Sequence, residues 1–313
     1  MAVRFFEVDS LAKLFLYLQN RSGEAVENLL RKNKFLGRFK LLMMVDGNKV
    51  ASSATAMQAI ASSETAMQTI ASSLTAMQAV MSSSTAREAF FSSQYAVGFG
   101  IDTYANLNNS TLRNLNTMQA IASSETAMQT IASSETAMQA IASSETAMQA
   151  IASSATAMQT IASSAVAMNI LLKSSTSIKA ILRSSSIAVN AILNNIATLQ
   201  NTQYFSYSSQ QQTYIGNGTS TYTIPANSLI RITNLYSYDY YPSDAGASGT
   251  VTLTDGINSS QIGSYNMNGD GSTTTNIDVN LLCFGNLINT RNVSGSHPSE
   301  FRLRITFTVY TAL

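Results

Sequence analysis

A ten-residue unit, written again and again, restricts what this chain can fold into more than any other feature. Ala51-Ser-Ser-Ala-Thr-Ala-Met-Gln-Ala-Ile60 recurs as Ala61-Ser-Ser-Glu-Thr-Ala-Met-Gln-Thr-Ile70 and again to Val80. The pattern decays through Met81 to Phe90, vanishes up to Thr117, and returns with Met at 118, 128, 138, 148, 158 and 168. From Ala162 the unit lengthens to eleven residues, carrying Ile170, Ile181 and Ile192 at one position. Such self-similarity makes the repeat, and not the single residue, the thing that folds.

Each unit is rich in Ala, Met, Gln and Glu, and neither Gly nor Pro falls between Asn48 and Val97 or between Ile101 and Ile215. Helix is therefore expected in both arrays. The large apolar residues, as in Met57, Ile60, Met67 and Ile70, follow a 3-4-3 spacing. On a straight helix ten residues fall about 80° short of three turns, so a flat partner loses the stripe after two units. A strongly supercoiled, multi-stranded coiled coil follows such a stripe, and a single helix with so narrow an apolar face needs partners along its length. The alternative comes from Ser-Ser-x-Thr, a poor helix interior and a good N-cap, which would make each unit a short helix and a kink. As one continuous helix, Met118 to Leu199 would extend on the order of 120 Å.

Charge excludes several functions. The 18 Lys and Arg against 17 Asp and Glu leave +1, and 11% of residues are charged, so no bulk field draws the chain to nucleic acid. No apolar run approaches the ~18–20 residues that span a bilayer, so no membrane insertion is expected. One Cys and one His exclude a disulfide framework and a Cys/His zinc site. Cys283 sits in Leu281-Leu282-Cys283-Phe284 and reads as a buried small hydrophobe, while His297 lies in the loop sequence Ser-Gly-Ser-His-Pro-Ser. No nucleophile and base assemble, so no enzyme is expected, and no cofactor.

Five segments follow: a helical N-terminal module at 1–47, a repeat shaft at 48–90, an interruption at 91–117, a second shaft at 118–200, and a β-rich head at 201–313. The first has a basic cluster, Arg31, Lys32, Lys34, Arg38 and Lys40, suited to docking on an acidic partner or to forming a solvated face. The interruption holds Gly98 and Gly100; it is either a joint that fixes register or a decayed repeat with a local core.

Residues 201–313 hold every Pro, ten of the fifteen Gly and no Lys. Tyr222–Ile224, Leu229–Tyr236, Gly249–Leu253, Thr274–Val279 and Phe301–Val309 read as strands separated by turn signals. An antiparallel β-sandwich or jelly roll is expected. Asn266-x-Asn268-x-Asp270-Gly271 opens like a calcium loop, but position twelve is Ile277 where Glu is needed, so a hairpin turn is expected and no metal. The carboxylates Asp239, Asp244, Asp255, Asp270 and Asp278 are scattered, and the sequence does not pair them. Tyr236, Tyr238 and Tyr240 would share one strand face with Tyr241 beside them, a surface suited to a sugar or a protein; alternatively, they line the core.

The Ser-Ser-Glu-Thr-Ala-Met-Gln-Ala-Ile-Ala decads, and the order of small N-terminal module, long repeats and β head, resemble phage fibre proteins of the tail or head-fibre kind. The resemblance covers roughly half the chain. It implies a homotrimeric virion protein, attached to capsid, neck or tail proteins through residues 1–47, whose head at 201–313 meets a host glycan or protein. Two further readings fit the same order: a decoration fibre without a receptor, and a glycan-degrading spike.

Overall fold

The computed structural model describes residues 47–239, 247–257, 259–270 and 273–313, with Glu24 and Asn28. The basic cluster at Arg31, Lys32, Lys34, Arg38 and Lys40 lies outside the described residues, as do Tyr240 and Tyr241. The architecture is a run of short helices followed by an antiparallel sheet, divided into two compact units, Met1–Ile161 and Ala162–Leu313.

In the first unit each decad is one short helix: α1 (Gly47–Ala51), α2 (Ala54–Ala61), α3 (Glu64–Ala71), α4 (Leu74–Ser82) and α5 (Ser84–Phe91) in the first array. The second array has α8 (Met118–Ser123), α9 (Glu125–Ala132), α10 (Glu135–Ile141), α11 (Glu145–Ala152) and α12 (Ala155–Ala162), with α6 (Val97–Ala105) and α7 (Ser110–Arg113) in between. The continuous coiled-coil helix does not form, and the Ser-Ser pair is the reason. The second Ser leaves helical geometry, with φ −113° and ψ 117° at Ser63, and its Oγ accepts the Ala66 N–H at 3.2 Å. The first Ser turns back on the preceding helix, Ser62 Oγ donating to the Gln58 carbonyl at 2.8 Å. One dipeptide thus closes one helix and opens the next, and satisfies groups that a bare break would orphan. Glu64 in the first turn favours the helix dipole and accepts from Gln68 Nε2 at 3.1 Å.

These breaks let the chain coil on itself. Helix α1 rests on α4, α2 on α5, α3 on α6, and α8 on α11, so three units complete a turn. Met57, Ile60, Met67, Ile70, Met128 and Ile131 are all fully buried, each contributing on the order of 2 kcal/mol. The apolar stripe that demanded a partner finds one in the same chain, so self-association is not needed to cover it. The coils are stapled by the capping hydroxyls: Ser83 Oγ donates to the Ala51 carbonyl, Ser93 to Ala61 and Ser154 to Ala122, each at 2.6 Å and each 32 residues back. Asp would cap as well, but an ionised Asp has no proton to donate to that carbonyl. A turn of some thirty residues advances by about one helix diameter, about 10 Å, where a continuous helix would advance about 45 Å.

The decayed unit reaches the second array. Arg87 and Glu88 occupy the positions of Met and Gln, and they clasp the second array. Glu88 accepts from Ser144 Oγ at 3.0 Å, Glu145 N at 3.1 Å and Thr146 N at 2.9 Å, while Arg87 Nε donates to the Ser143 carbonyl at 3.1 Å. The interruption is built around buried Asp102, which pairs with Arg113 and accepts the Asn109 N–H at 2.6 Å. Gly98 lies against the backbone of Leu112 and Leu115, donating its N–H to the Leu115 carbonyl at 2.9 Å.

The second unit begins where the period changes from ten to eleven, not at residue 201 where composition changes. Helices α13 (Ala165–Lys173), α14 (Thr176–Ser184) and α15 (Ser186–Asn194) belong with the sheet. Asn169 Nδ2 donates to the Tyr204 carbonyl at 2.6 Å and Lys173 reaches the Leu313 carbonyl. The strands are β1 (Phe205–Ile215), β2 (Gly218–Tyr222), β3 (Ser228–Asp239), β4 (Ala247–Asp255), β5 (Ser260–Asp270), β6 (Thr273–Cys283), β7 (Leu287–Gly295) and β8 (Phe301–Ala312). All pairings are antiparallel, in the order β1-β8-β3-β6-β5-β4-β7-β2. The sheet is nearly a closed barrel: its end strands come together where Tyr222 donates to Gln210 Oε1 at 2.6 Å. Ile230, Ile232, Leu235, Val251, Leu253, Leu303, Ile305 and Phe307 form its core. The expected calcium-like segment is the β5–β6 hairpin, with Gly269 opposite Thr274.

Candidate recognition surface

Which way the tyrosines point is decided by one extra residue. Along β3, Ile230 and Ile232 face the core, and plain alternation would send Tyr236 and Tyr238 inward after them. The register with both neighbours shifts between Ile232 and Asn234, so Thr233 forms a bulge and parity inverts. Leu235 and Ser237 are then buried, Ser237 Oγ donating to the Asn268 carbonyl at 2.7 Å. Tyr236 and Tyr238 share the opposite, half-exposed face.

Their rings stack with centroids 5.5 Å apart and planes inclined by 24°. Arg304, directly opposite Tyr236 on β8, lies over both, its guanidinium carbon 5.7 Å from the Tyr236 centroid and 5.3 Å from that of Tyr238. Arg302 faces Tyr238 from the same strand. Around them the face is polar: Thr213 is beside Arg304, Asn276 beside Tyr236, and Asn234 donates to Asn276 Oδ1 at 2.6 Å and to the carboxylate of Asp278 at 3.0 Å. Arg304 escapes a reading of the sequence by segment. The alternation of Phe301-Arg-Leu-Arg-Ile305 puts Arg302 and Arg304 on one face, but only the β3–β8 register joins them to the tyrosines.

Of the five carboxylates, the described side chains are those of Asp255 and Asp278, which lie in different surroundings. Asp255 is fully buried and engaged, accepting the N–H groups of Phe284 at 2.7 Å and Ile257 at 2.9 Å, with Arg183 Nε 3.4 Å away. Asp278 is on the outer face with Asn234. Asp244 and the side chains of Asp239 and Asp270 lie outside the described residues. Among the described residues no three His, Cys, Asp or Glu side chains cluster as metal ligands, and no single helix is long and apolar enough to cross a membrane.

Cys283 is buried and free, donating to the Gly285 carbonyl at 3.0 Å. Burial, reinforced by the Asp255 carboxylate, raises its pKa far above the usual thiol range. Because the thiolate is the reactive form, iodoacetamide at pH 8 should leave the folded chain unlabelled and alkylate it once urea unfolds it. Mass spectrometry that finds stoichiometric labelling without denaturant would contradict this burial.

No known family model matches the sequence, and no curated protein does. Among solved structures the chain has a slight likeness to the VP2 protein of infectious bursal disease virus in T=1 particles. The identity is 8% over 34% of this chain and 32% of that one, with a TM-score of 0.18. A second, the structure of the Gt strain of that virus, has 12% identity over 34% and 33% of the two chains, with a TM-score of 0.19. The chain thus spans about a third of the length of each.

Proposed function

We propose that this protein is a virion fibre component of the phage kind that binds rather than catalyses, its repeats serving as spacer and its C-terminal unit as the recognition head for a host surface glycan. The observation that carries this reading is the outward Tyr236–Tyr238 pair with Arg304 across it. A chain that needed those tyrosines for its core would not carry the bulge that turns them out. Tyr offers a flat, amphipathic surface with little rotational freedom to lose on binding.

We read the head more finely as a jelly roll. What supports this is the division of the sheet into two four-stranded runs, β1-β8-β3-β6 and β5-β4-β7-β2, whose ladder connection among the described residues is two residue pairs between β5 and β6. That interleaved order is what two Greek keys produce, an architecture shared by capsid and lectin domains.

The test is binding of the full chain to an array of bacterial surface polysaccharides. The wild type should retain at least one glycan, and Tyr236→Ala and Tyr238→Ala should each weaken it about tenfold, the effect of losing an aromatic contact worth ~1.4 kcal/mol, with unchanged melting. A wild type that binds no polysaccharide, or tyrosine variants that bind as well as it does, would remove this reading.

A further inference from the structure

The cation at the centre of this patch is held without being used. Arg304 makes no hydrogen bond and no ion pair among the described residues; its contacts there are the two tyrosine rings. Its Nε is enclosed and has no acceptor. Its two Nη groups make no hydrogen bond among the described residues either, which leaves them for an acceptor from outside. A guanidinium carries five N–H donors in a planar fork, and one that a protein needs for its own architecture spends them. Arg291, on the other side of the sheet, does so: it is 4% exposed and donates from Nε to the Gly216 carbonyl at 2.9 Å and from Nη2 to Ser220 Oγ at 3.2 Å. Arg304 has the same chemistry, and its hydrogen bonds are not made.

Its neighbours determine what could make them. Arg302 adds a second positive charge two residues away, donating from Nη1 to the Ser299 carbonyl at 3.0 Å. The residues beside Arg304 and Tyr236 in the ladder, Thr213 and Asn276, are neutral, and Asp278 is one row further along, hydrogen-bonded to Asn234. The patch therefore favours an anion. It lies on β3 and β8, strands paired on both sides, so there is no free backbone edge on which a peptide could add a strand. Aromatic rings, hydroxyls and amides around a cation suit a sugar ring that bears a carboxylate.

The geometry points to an acidic saccharide as the ligand: its carboxylate taken end-on by the Nη pair of Arg304, its ring against Tyr236 and Tyr238, its hydroxyls toward Thr213 and Asn276. Two parallel N–H···O bonds to a carboxylate are among the stronger polar contacts, and Lys cannot reproduce the fork. This inference rests on the recognition reading above and narrows it.

The experiment titrates the full chain by calorimetry with trigalacturonate and 3′-sialyllactose, with maltotriose and lactose as neutral counterparts and hexaglutamate as an acidic peptide. At least one acidic saccharide should bind ten times or more tightly than its neutral counterpart and more weakly as salt rises. Arg304→Gln should abolish that preference and Arg304→Lys restore only part of it, with both variants melting like the wild type. Equal binding of acidic and neutral sugars, lost on Tyr238→Ala but indifferent to Arg304→Gln, would overturn the carboxylate inference and leave glycan recognition standing. Binding of hexaglutamate alone, or of no probe, would overturn it too, and in that case the polysaccharide array decides separately whether the broader reading survives. If Arg304→Gln melts early, the Arg304→Lys variant carries the test: undiminished preference there would overturn the bidentate contact.

Discussion

Replacing Gly98 by alanine should cost the first unit about 3 kcal/mol or more, a fall in melting temperature on the order of 10 °C. The methyl group would collide with the carbonyl oxygen of Leu112 and stand 2.7 Å from that of Leu115. Both obstacles are backbone, so no side chain can rotate out of the way. The dihedral angles at Gly98 are not the reason, since its φ is not in the left-handed region; the effect is contact alone. To make room, α6 must lift from the 112–115 segment, breaking the bond from Gly98 N to the Leu115 carbonyl and that from Val97 N to the Asn116 carbonyl. Gly47→Ala is the comparison, because the nearest atom there is the methyl of Ala79 at 3.2 Å, and it should shift melting by a small fraction as much. Circular dichroism melts of the two variants decide the matter: equal shifts would mean that the interruption is not tightly joined.

A loss of about 4 kcal/mol is expected for Asp255→Ala in the second unit. Its carboxylate terminates the buried N–H of Phe284 and the partly buried N–H of Ile257, and faces Arg183, whose side chain is 15% exposed. Alanine orphans both donors and leaves the cation without its counter-charge, and removing one partner of a buried pair costs about 3–5 kcal/mol. Asp255→Asn keeps an acceptor and should cost about half as much. Arg183→Met should cost least, because the carboxylate keeps its two amide donors. Urea denaturation of the three variants gives the order. If Arg183→Met proves as damaging as Asp255→Ala, the ion pair and not the amide capping dominates. That outcome is unexpected, since Arg183 Nε makes no hydrogen bond at 3.4 Å.

The repeats declare helix, and they also declare where each helix stops, because Ser-Ser serves as an end and a beginning at once. What the sequence does not declare is the partner. A stripe of Met and Ile repeating every ten residues is equally well covered by another chain or by the same chain three units on. A periodic pattern is blind to that choice because every unit offers the same surface. Arg87 and Glu88 read as decay for a similar reason: their meaning lies in the backbone at Ser143–Thr146, more than fifty residues ahead.

In the sheet, the strands with clean alternation were legible, Phe301-Arg-Leu-Arg-Ile305 above all. Strand β1 hides because it closes one end of the strand order and is largely Ser and Gln. Strand β7 hides because two of its inward positions are polar: Asn289 and Arg291 are buried, the guanidinium of Arg291 5.4 Å from the ring centre of Tyr214. The tyrosine face follows from the i, i+2 spacing, but its outward direction depends on the Thr233 bulge, which no local pattern announces.

The capping hydroxyl that reaches back 32 residues has an evolutionary consequence. Repetitive coding sequence gains and loses copies by slippage, and in most folds such an event destroys the protein. Here an inserted or deleted decad brings the next copy into the vacated place, with the same Ser hydroxyl for the carbonyl below and the same Ser-x-Thr for the Glu88 clasp. Stability in such an array is close to a sum over neighbours, so its extent can drift by whole copies while every contact is remade. The repeat array is thereby adjustable by mutation without being redesigned.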